Sequence, residues 1–495
     1  MKRVVAVLLA LTLLFTFLGC SSEPKEKDAV DEYIEYVEKQ ENATNQFIGY
    51  GKKETEISED PLRILMDLEY VRGEPYDTSS LLNEFIYTLE QSGELYDVVI
   101  EYVPRHGLDR ELMLNQIREE LMSGGGPDVF IMNCGGMNLY PLMEAMPLFP
   151  FPEKAMDNGY FLPLDDLMEN YTQFTEWDKQ TQVVLEAGRN AEGQQIIPLA
   201  YTTDVIIYDE DVVPEFTADD RTTWMDIVND PVRSEIVRPM YDGISMMYDL
   251  DTDEYVQVHT WFPAEQVFGK LVDFTEQELL FTEEEAFQRI KEMGALSDKT
   301  KEAAPFGVEI YSYGLSDLGR ESLAMKGSFL YREGTTETFE IFGSGPTRMI
   351  PIYSDDGGVT ASIMSYAAVN RNTRRPTEAY TVIDLLMRDI VQRRYKLYAE
   401  LILNGFSGIS MHEGIMLEES EVGANSPWFT SDQRFSELCK IRQQITAANF
   451  ESPLDIELNQ MFAMCLQTYS DGGTDEAIKE IIHEHYERME ALIYE

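Results

Sequence analysis

Between Leu62 and Met132 the chain alternates short apolar runs with amphipathic stretches, and this alternation limits the fold more than any other feature. "LRILMDL" (62–68), "YDVVIEYVP" (96–104) and "DVFIM" (128–132) have strand length and apolar character. Between the first two, "DTSSLLNEFIYTLEQSG" (77–93) places Leu82, Phe85, Ile86 and Leu89 at helical spacing. Ser79 or Ser80 can cap its start and Gly93 its end. Between the last two, "DRELMLNQIREELM" (109–122) sets Leu114, Ile117 and Leu121 on one face. Strand, helix, strand, helix, strand at this spacing predicts a parallel sheet with right-handed crossovers.

The glycine run in "LMSGGGPDVFIM" (121–132) takes its meaning from that order. A phosphate loop runs from strand through glycines into a helix, so that the helix N-terminus meets the anion. Here the glycines come after a helix and before a strand, and no Gly-Lys-Ser/Thr is present. Gly124, Gly125 and Gly126 therefore read as a helix C-cap and tight turn, with Asp128 opening the strand.

Further along, "QQIIPLAYTTDVIIYDEDVV" (194–213) is extended, β-branched and aromatic-rich. "TWMDIVN" (223–229) starts a helix capped by Thr223, and in "FTEEEAFQRIKEMG" (281–294) Thr282 and Glu285 have capping-box spacing. "SFLYREG" (328–334) and "RMIPIYS" (348–354) read as strands, and "PTEAYTVIDLLMRDI" (376–390) as a helix burying Ala379, Val382, Ile383, Leu386 and Ile390. The last 65 residues read mostly as helix.

Three motifs fail on their own chemistry. "DLDTDEYVQVHT" (249–260) begins like a calcium loop, but Glu254 replaces the required glycine and Thr260 the bidentate glutamate. It reads as a hairpin turn. "HEHYE" (483–487) lacks the His-Glu-x-x-His spacing, and "GFSGIS" (405–410) is not Gly-x-Ser-x-Gly. No metal site, cofactor or nucleophile is signalled. Cys134, Cys439 and Cys465 have no CxxC spacing, so at most one disulfide pair could form.

Asp and Glu number 90 against 39 Lys and Arg, a net charge of −51. Such a surface repels nucleic acid and anionic lipid. At the N-terminus, Lys2 and Arg3 precede an apolar run from Val4 to Leu18, an export signal too short to span a bilayer, which needs about 20 apolar residues. "FLGC" ending at Cys20 resembles the lipobox of bacterial lipoproteins, with Phe17 and Leu18 departing from the most usual residues. The resemblance implies residues 1–20 as signal peptide, acylation of Cys20, and a lipid anchor on the outer face of the cytoplasmic membrane. Residues 21–60, polar and charged, suit a tether.

From residue 60 to about 420 an ordered series of motifs resembles the extracellular solute-binding proteins of bacterial ABC importers, family 1, typified by maltose- and oligosaccharide-binding proteins. "GGGPDVFIM" is similar to that family's Gly-x-x-Pro-Asp-Val strand, and "NGYFLPLDDLMENY" (158–171) to its Pro-Leu-Asp-Asp-Leu segment. "IPLAYTTDVIIYDEDVV" (197–213) is similar to its crossing strand, and "TTWMDI" to its Thr-Trp helix start. "MKGSFLYREG", "IPIYSDDGG" and "VNRNTRRPTEAYTVIDLLM" come next in the family's order. Asp209, Glu210 and Leu330-Tyr331 depart from its usual residues.

The resemblance implies an α/β, two-lobed periplasmic-binding-protein-like (Venus flytrap) fold with crossing hinge strands. The first lobe would hold 60–200 plus 355–405, and the second 206–350 plus 406–495. A monomer would close on a small solute, with sugar favoured, and dock on an ABC permease. The chain would not be an enzyme. Ligands meet loops beyond the C-terminal ends of parallel strands. The candidates are Glu69, Tyr70, Asn133, Tyr201, Thr203, Asp204, Trp261, Arg332, Glu333 and Trp428. Aromatic faces would pack on sugar rings, and charged groups would bind hydroxyls. Two other classes stay open: an exported hydrolase using paired carboxylates, such as a glycosidase, and a surface lipoprotein that binds other proteins.

Overall fold

The chain divides into two units, Met1–Gln46 and Phe47–Glu495, and the second carries the sheets and helices of the fold. The computed structural model describes residues 46–48, 60–67, 98–104, 108–134, 147–209, 221, 223, 225–226, 244–249, 254–259, 267–301, 309–310, 325–328, 347–354, 357–389, 391–392, 409–413 and 440–494. The expected helix at 77–93 and Trp224 lie outside them.

The strand–helix alternation of the first half appears as β1 (Leu62–Asp67), β2 (Val98–Tyr102), α1 (Leu108–Met122) and β3 (Val129–Asn133). After α2 (Pro152–Asp157) and α3 (Asp165–Tyr171) come β4 (Ile196–Thr202) and β5 (Asp204–Asp209). Next are the hairpin β6 (Ile244–Asp249) and β7 (Glu254–His259), α4 (Glu283–Lys301), β8 (Met325–Ser328) and β9 (Thr347–Pro351). The remainder is β10 (Val359–Val369), α5 (Pro376–Leu386), β11 (Ile409–Ser410), β12 (Ile445–Phe450), α6 (Pro453–Ser470) and α7 (Asp475–Tyr494).

In the large sheet β1 lies between β2 and β3 and is parallel to both. The long β10 runs antiparallel between β3 and β4, and β11 pairs with β4 at the edge. A smaller sheet holds β5 between β8 and β9, all antiparallel. Only Thr203 separates β4 from β5. No glycine or asparagine interrupts Ile196–Asp209, and one extended segment serves both sheets. The chain returns from β9 to β10, and Thr203 Oγ donates to Thr360 O at 3.0 Å between the two passages.

Two apolar cores form among the described residues. The first core joins Ile64, Phe130, Ile131, Phe161, Tyr366 and Ile383. The second joins Val267, Phe281, Ile290, Phe462 and Ile482, where α4, α6 and α7 pack together. Leu114, Ile117 and Leu121 of α1 are buried as the helical spacing requires. So are Ala379, Val382, Ile383 and Leu386 of α5.

The local signals take hydrogen-bonded form. Thr282 N donates to Glu285 Oε2 at 2.8 Å and Glu285 N to Thr282 Oγ at 3.2 Å, a reciprocal cap at the head of α4. Thr223 and Asp226 make the same exchange, at 3.1 Å each way. In the glycine run Gly124 and Gly126 have φ of 80° and 100°, and Gly125 N donates to Glu120 O at 2.9 Å, ending α1. Asn370 Nδ2 then donates to Gly125 O (3.0 Å) and Pro127 O (2.8 Å), and Asp128 Oδ2 accepts from Arg63 N at 2.9 Å. The calcium-like stretch is a hairpin, with Asp249 opposite Glu254.

Two segments differ from expectation. "ITAANF" in the supposedly helical tail is β12, which joins β10 in parallel and returns the chain to the first core before α6 enters the second. Only its ends, Ile445 and Phe450, are buried, and its sheet position is supplied by long-range pairing with β10. The strand expected at 328–334 lies further upstream, at Met325–Ser328, opposite Asp204–Ile207; the rest of that stretch is outside the described residues.

Candidate functional site

The C-terminal ends of the parallel strands form the edge where ligands of such sheets sit. β1 ends on Asp67, whose carboxylate is clasped by Arg110 of α1: Nη1 to Oδ1 at 2.6 Å and Nη2 to Oδ2 at 2.8 Å. Arg110 Nη1 also donates to Pro104 O at 3.1 Å, beyond the end of β2. Both side chains are buried, so the pair is a fixed, charge-compensated floor for this edge.

β3 ends on Asn133, directly opposite Ser365 of β10. Opposed residues of an antiparallel pair point to the same face of a sheet. Both are buried, and Asn133 Oδ1 and Ser365 Oγ have no hydrogen-bond partner among the described residues. Leaving a buried acceptor or hydroxyl unmade costs about 1–3 kcal/mol. On the opposite face Tyr366 and Cys134 are fully buried, and burial pushes both the phenol and the thiol well above their ordinary pKa values. Cys134 belongs to the first core, as a small apolar filler would.

The remaining candidates divide between the crossing strands and undescribed segments. Tyr201 is fully buried in the first core, its hydroxyl 3.4 Å from Thr181 Oγ. Thr203 is buried at the crossing, its hydroxyl on Thr360 O. Asp204 opens β5 opposite Ser328. Asn133 and Ser365 are thus brought together, whereas β10 stands between Asn133 and the strand bearing Tyr201. Glu69, Tyr70, Trp261, Arg332, Glu333 and Trp428 lie outside the described residues, as does Cys20. Ser365 was not among the candidates expected from sequence. Its only signal was one of two serines, Ser362 and Ser365, in "ASIMSYAAV", a run otherwise suited to a sheet interior.

Trp177 packs against the first core and donates from Nε1 to Thr172 Oγ (3.0 Å) and Tyr380 OH (3.1 Å). Among the described residues no group of three or more His, Cys, Asp or Glu side chains could hold a metal ion. No described helix is long and apolar enough to cross a membrane.

No family model matches the chain, and no curated protein does. Solved structures do. An extracellular solute-binding protein of family 1 from Alicyclobacillus acidocaldarius is 13% identical with a TM-score of 0.55, covering 88% of this chain and 100% of that one. A periplasmic oligogalacturonide binding protein from Yersinia enterocolitica is 11% identical with a TM-score of 0.55, covering 88% and 99%. A cyclic alpha-maltosyl-1,6-maltose binding protein from Arthrobacter globiformis is 12% identical with a TM-score of 0.51, covering 88% and 99%. Together with the two sheets, the two cores and the paired crossing strands, these similarities show that the chain has the two-lobed α/β fold of the family 1 extracellular solute-binding proteins.

Proposed function

We propose that this chain is an extracellular solute-binding protein that captures a small polar solute, a sugar or oligosaccharide, between its lobes and delivers it to an ABC permease. The observation that carries the reading is the buried Asn133–Ser365 pair at the ligand edge of the large sheet, with an acceptor and a hydroxyl unused among the described residues. A ligand hydroxyl can donate to Asn133 Oδ1 while Ser365 Oγ donates to or accepts from it, and no charge need be neutralised. The names of the structural neighbours, an oligogalacturonide binder and a cyclic maltosyl-maltose binder, support the sugar class. The net charge of −51 favours a neutral glycan over a polyanionic one.

The role is binding and not turnover. Ligand touching both lobes only when they are closed shifts the population towards the closed form. The Cys20 motif supports acylation, which would hold the monomer at the outer face of the membrane beside its permease. Incorporation of a labelled fatty acid, abolished by Cys20→Ala, tests the anchor.

The function is tested by a thermal-shift panel of neutral oligosaccharides, oligogalacturonides, amino acids, peptides and polyamines. A true ligand at a hundredfold its Kd stabilises by about 2.7 kcal/mol and is recovered unchanged. Turnover of a glycan would reassign the chain to the hydrolases, and a panel without any shift would refute the small-solute reading.

A further inference from the structure

One aromatic ring leaves the first core and enters the second. In "PLFPFPEKAM" (147–156) Leu148 and Phe149 belong to the first core, Phe151 to the second, and Ala155 and Met156 to the first again. A residue before proline is kept out of the helical region, and Phe151, before Pro152, is extended with φ of −126° and ψ of 94°. Its ring is buried 5.2 Å from that of Phe274. Within α2 a second contact points the same way: Lys154 Nζ donates to Ile493 O at 2.8 Å. Ile493 is in the last turn of α7, where carbonyls lack partners within the helix and carry the negative end of its dipole. α7 has no basic residue of its own in that turn, so the complementary cation comes from α2.

These contacts differ from the places where the backbone itself changes core. Such passages lie at Thr203, between Ile352 and Tyr353, and between Phe450 and Leu454. A side-chain contact can part and re-form, whereas a covalent passage can only bend. The face of the sheet then decides what the contact does. Phe149 meets Phe130 at 5.3 Å, and Phe161 meets Phe130 and Tyr366 at 5.9 and 6.5 Å. By strand alternation Phe130 and Tyr366 are on the face opposite Asn133 and Ser365. β4, which leads into the crossing, lies in the sheet between those faces. Lobes that turn about strands in the sheet plane part on one face as they approach on the other.

We propose that Phe151 and Lys154 form a clasp behind the hinge that resists closure of the lobes onto the Asn133–Ser365 face. The inference rests on the proposed function in taking that face as the one closed upon, and it adds a regulator of affinity. Solute must pull the clasp apart, so its apparent affinity is reduced by the fraction of chains held clasped. Losing the charge–dipole bond at half-buried Lys154 should move the ratio of the two arrangements by up to about 10-fold towards closure.

The test uses the full chain without solute. Lys154→Met keeps the aliphatic stem and removes the charge, Phe151→Leu trims the apolar contact, and Lys154→Arg keeps a cationic donor. Small-angle scattering should give the Phe151→Leu/Lys154→Met double variant a smaller radius of gyration than the wild type, the single variants intermediate values, and Lys154→Arg the wild-type value. A folded double variant with the wild-type radius, or a larger one, overturns the proposal. A second measurement needs no variant. Limited acetylation with acetic anhydride, read by peptide mapping, should modify Lys154 about 3- to 10-fold more slowly than Lys479, whose side chain is 51% exposed, because the clasped amine must first break its bond. Equal rates also overturn the proposal. No solute enters either measurement, so the clasp can fail while the sugar reading stands, and a solute panel without a shift leaves both results readable.

Discussion

Arg110→Ala is the sharpest probe of the ligand edge. The guanidinium makes two parallel bonds to Asp67, at 2.6 and 2.8 Å, and a third to Pro104 O at 3.1 Å. Side-chain exposure is 3% for Arg110 and 7% for Asp67, so water cannot replace the lost donors without opening the core. Breaking such a buried pair from one side costs about 3–5 kcal/mol, because the other charge is left uncompensated. Replacing both partners by apolar residues of similar volume is often neutral or stabilising by about 1–4 kcal/mol. Arg110→Ala, Asp67→Ala and the Arg110→Met/Asp67→Leu double variant therefore make a decisive set. Urea unfolding monitored by circular dichroism should show each single variant with a first transition about 3–5 kcal/mol less stable and the double variant near the wild type. A loss under about 1 kcal/mol for Arg110→Ala, or a double variant as poor as the two singles summed, would refute the reasoning.

Other expectations concern neighbouring features. Ser365→Ala removes a buried hydroxyl without a partner among the described residues, so calorimetry should find the free protein unchanged or about 1 kcal/mol more stable while solute affinity drops. Gly126→Ala places a Cβ 3.0 Å from Leu121 Cδ2 at a φ of 100° and should lower stability by about 2–3 kcal/mol. Gly124→Ala meets nothing within 4 Å and should cost only the left-handed backbone penalty of about 1–2 kcal/mol, a difference visible in paired melting curves. Asp384 accepts backbone N–H groups from Gln173, Phe174 and Thr175 at 2.6, 3.0 and 2.9 Å. Asp384→Ala should therefore cost more than about 3 kcal/mol in the same unfolding assay, and Asp384→Asn less. Glu153 has a folded pKa of about 7 against an ordinary 4.5, so its stabilising contribution is complete below pH 4.5 and lost as pH rises through about 7. Melting temperature should fall across that window and fall less in Glu153→Gln.

What the residues determined alone was local. Periodicity in α1 named the face that became buried, because 3.6 residues per turn leaves one stripe to hide, whereas α5 is buried continuously from Ala379 to Leu386 and its stripe marked only part of that. Thr282 with Glu285 capped α4 because both partners lie within one turn of chain. The glycine run was readable as a helix stop from the order of its neighbours. What only the tertiary structure decided depends on residues far apart in sequence. "ITAANF" is a strand because β10 offers it an edge, and no local rule could supply that edge. Asn370 locks the glycine turn from 245 positions away. Ser365 stands opposite Asn133 because strand register puts it there. Short-range chemistry is written in adjacent letters, whereas a site is a coincidence of distant ones that exists only once the chain has closed.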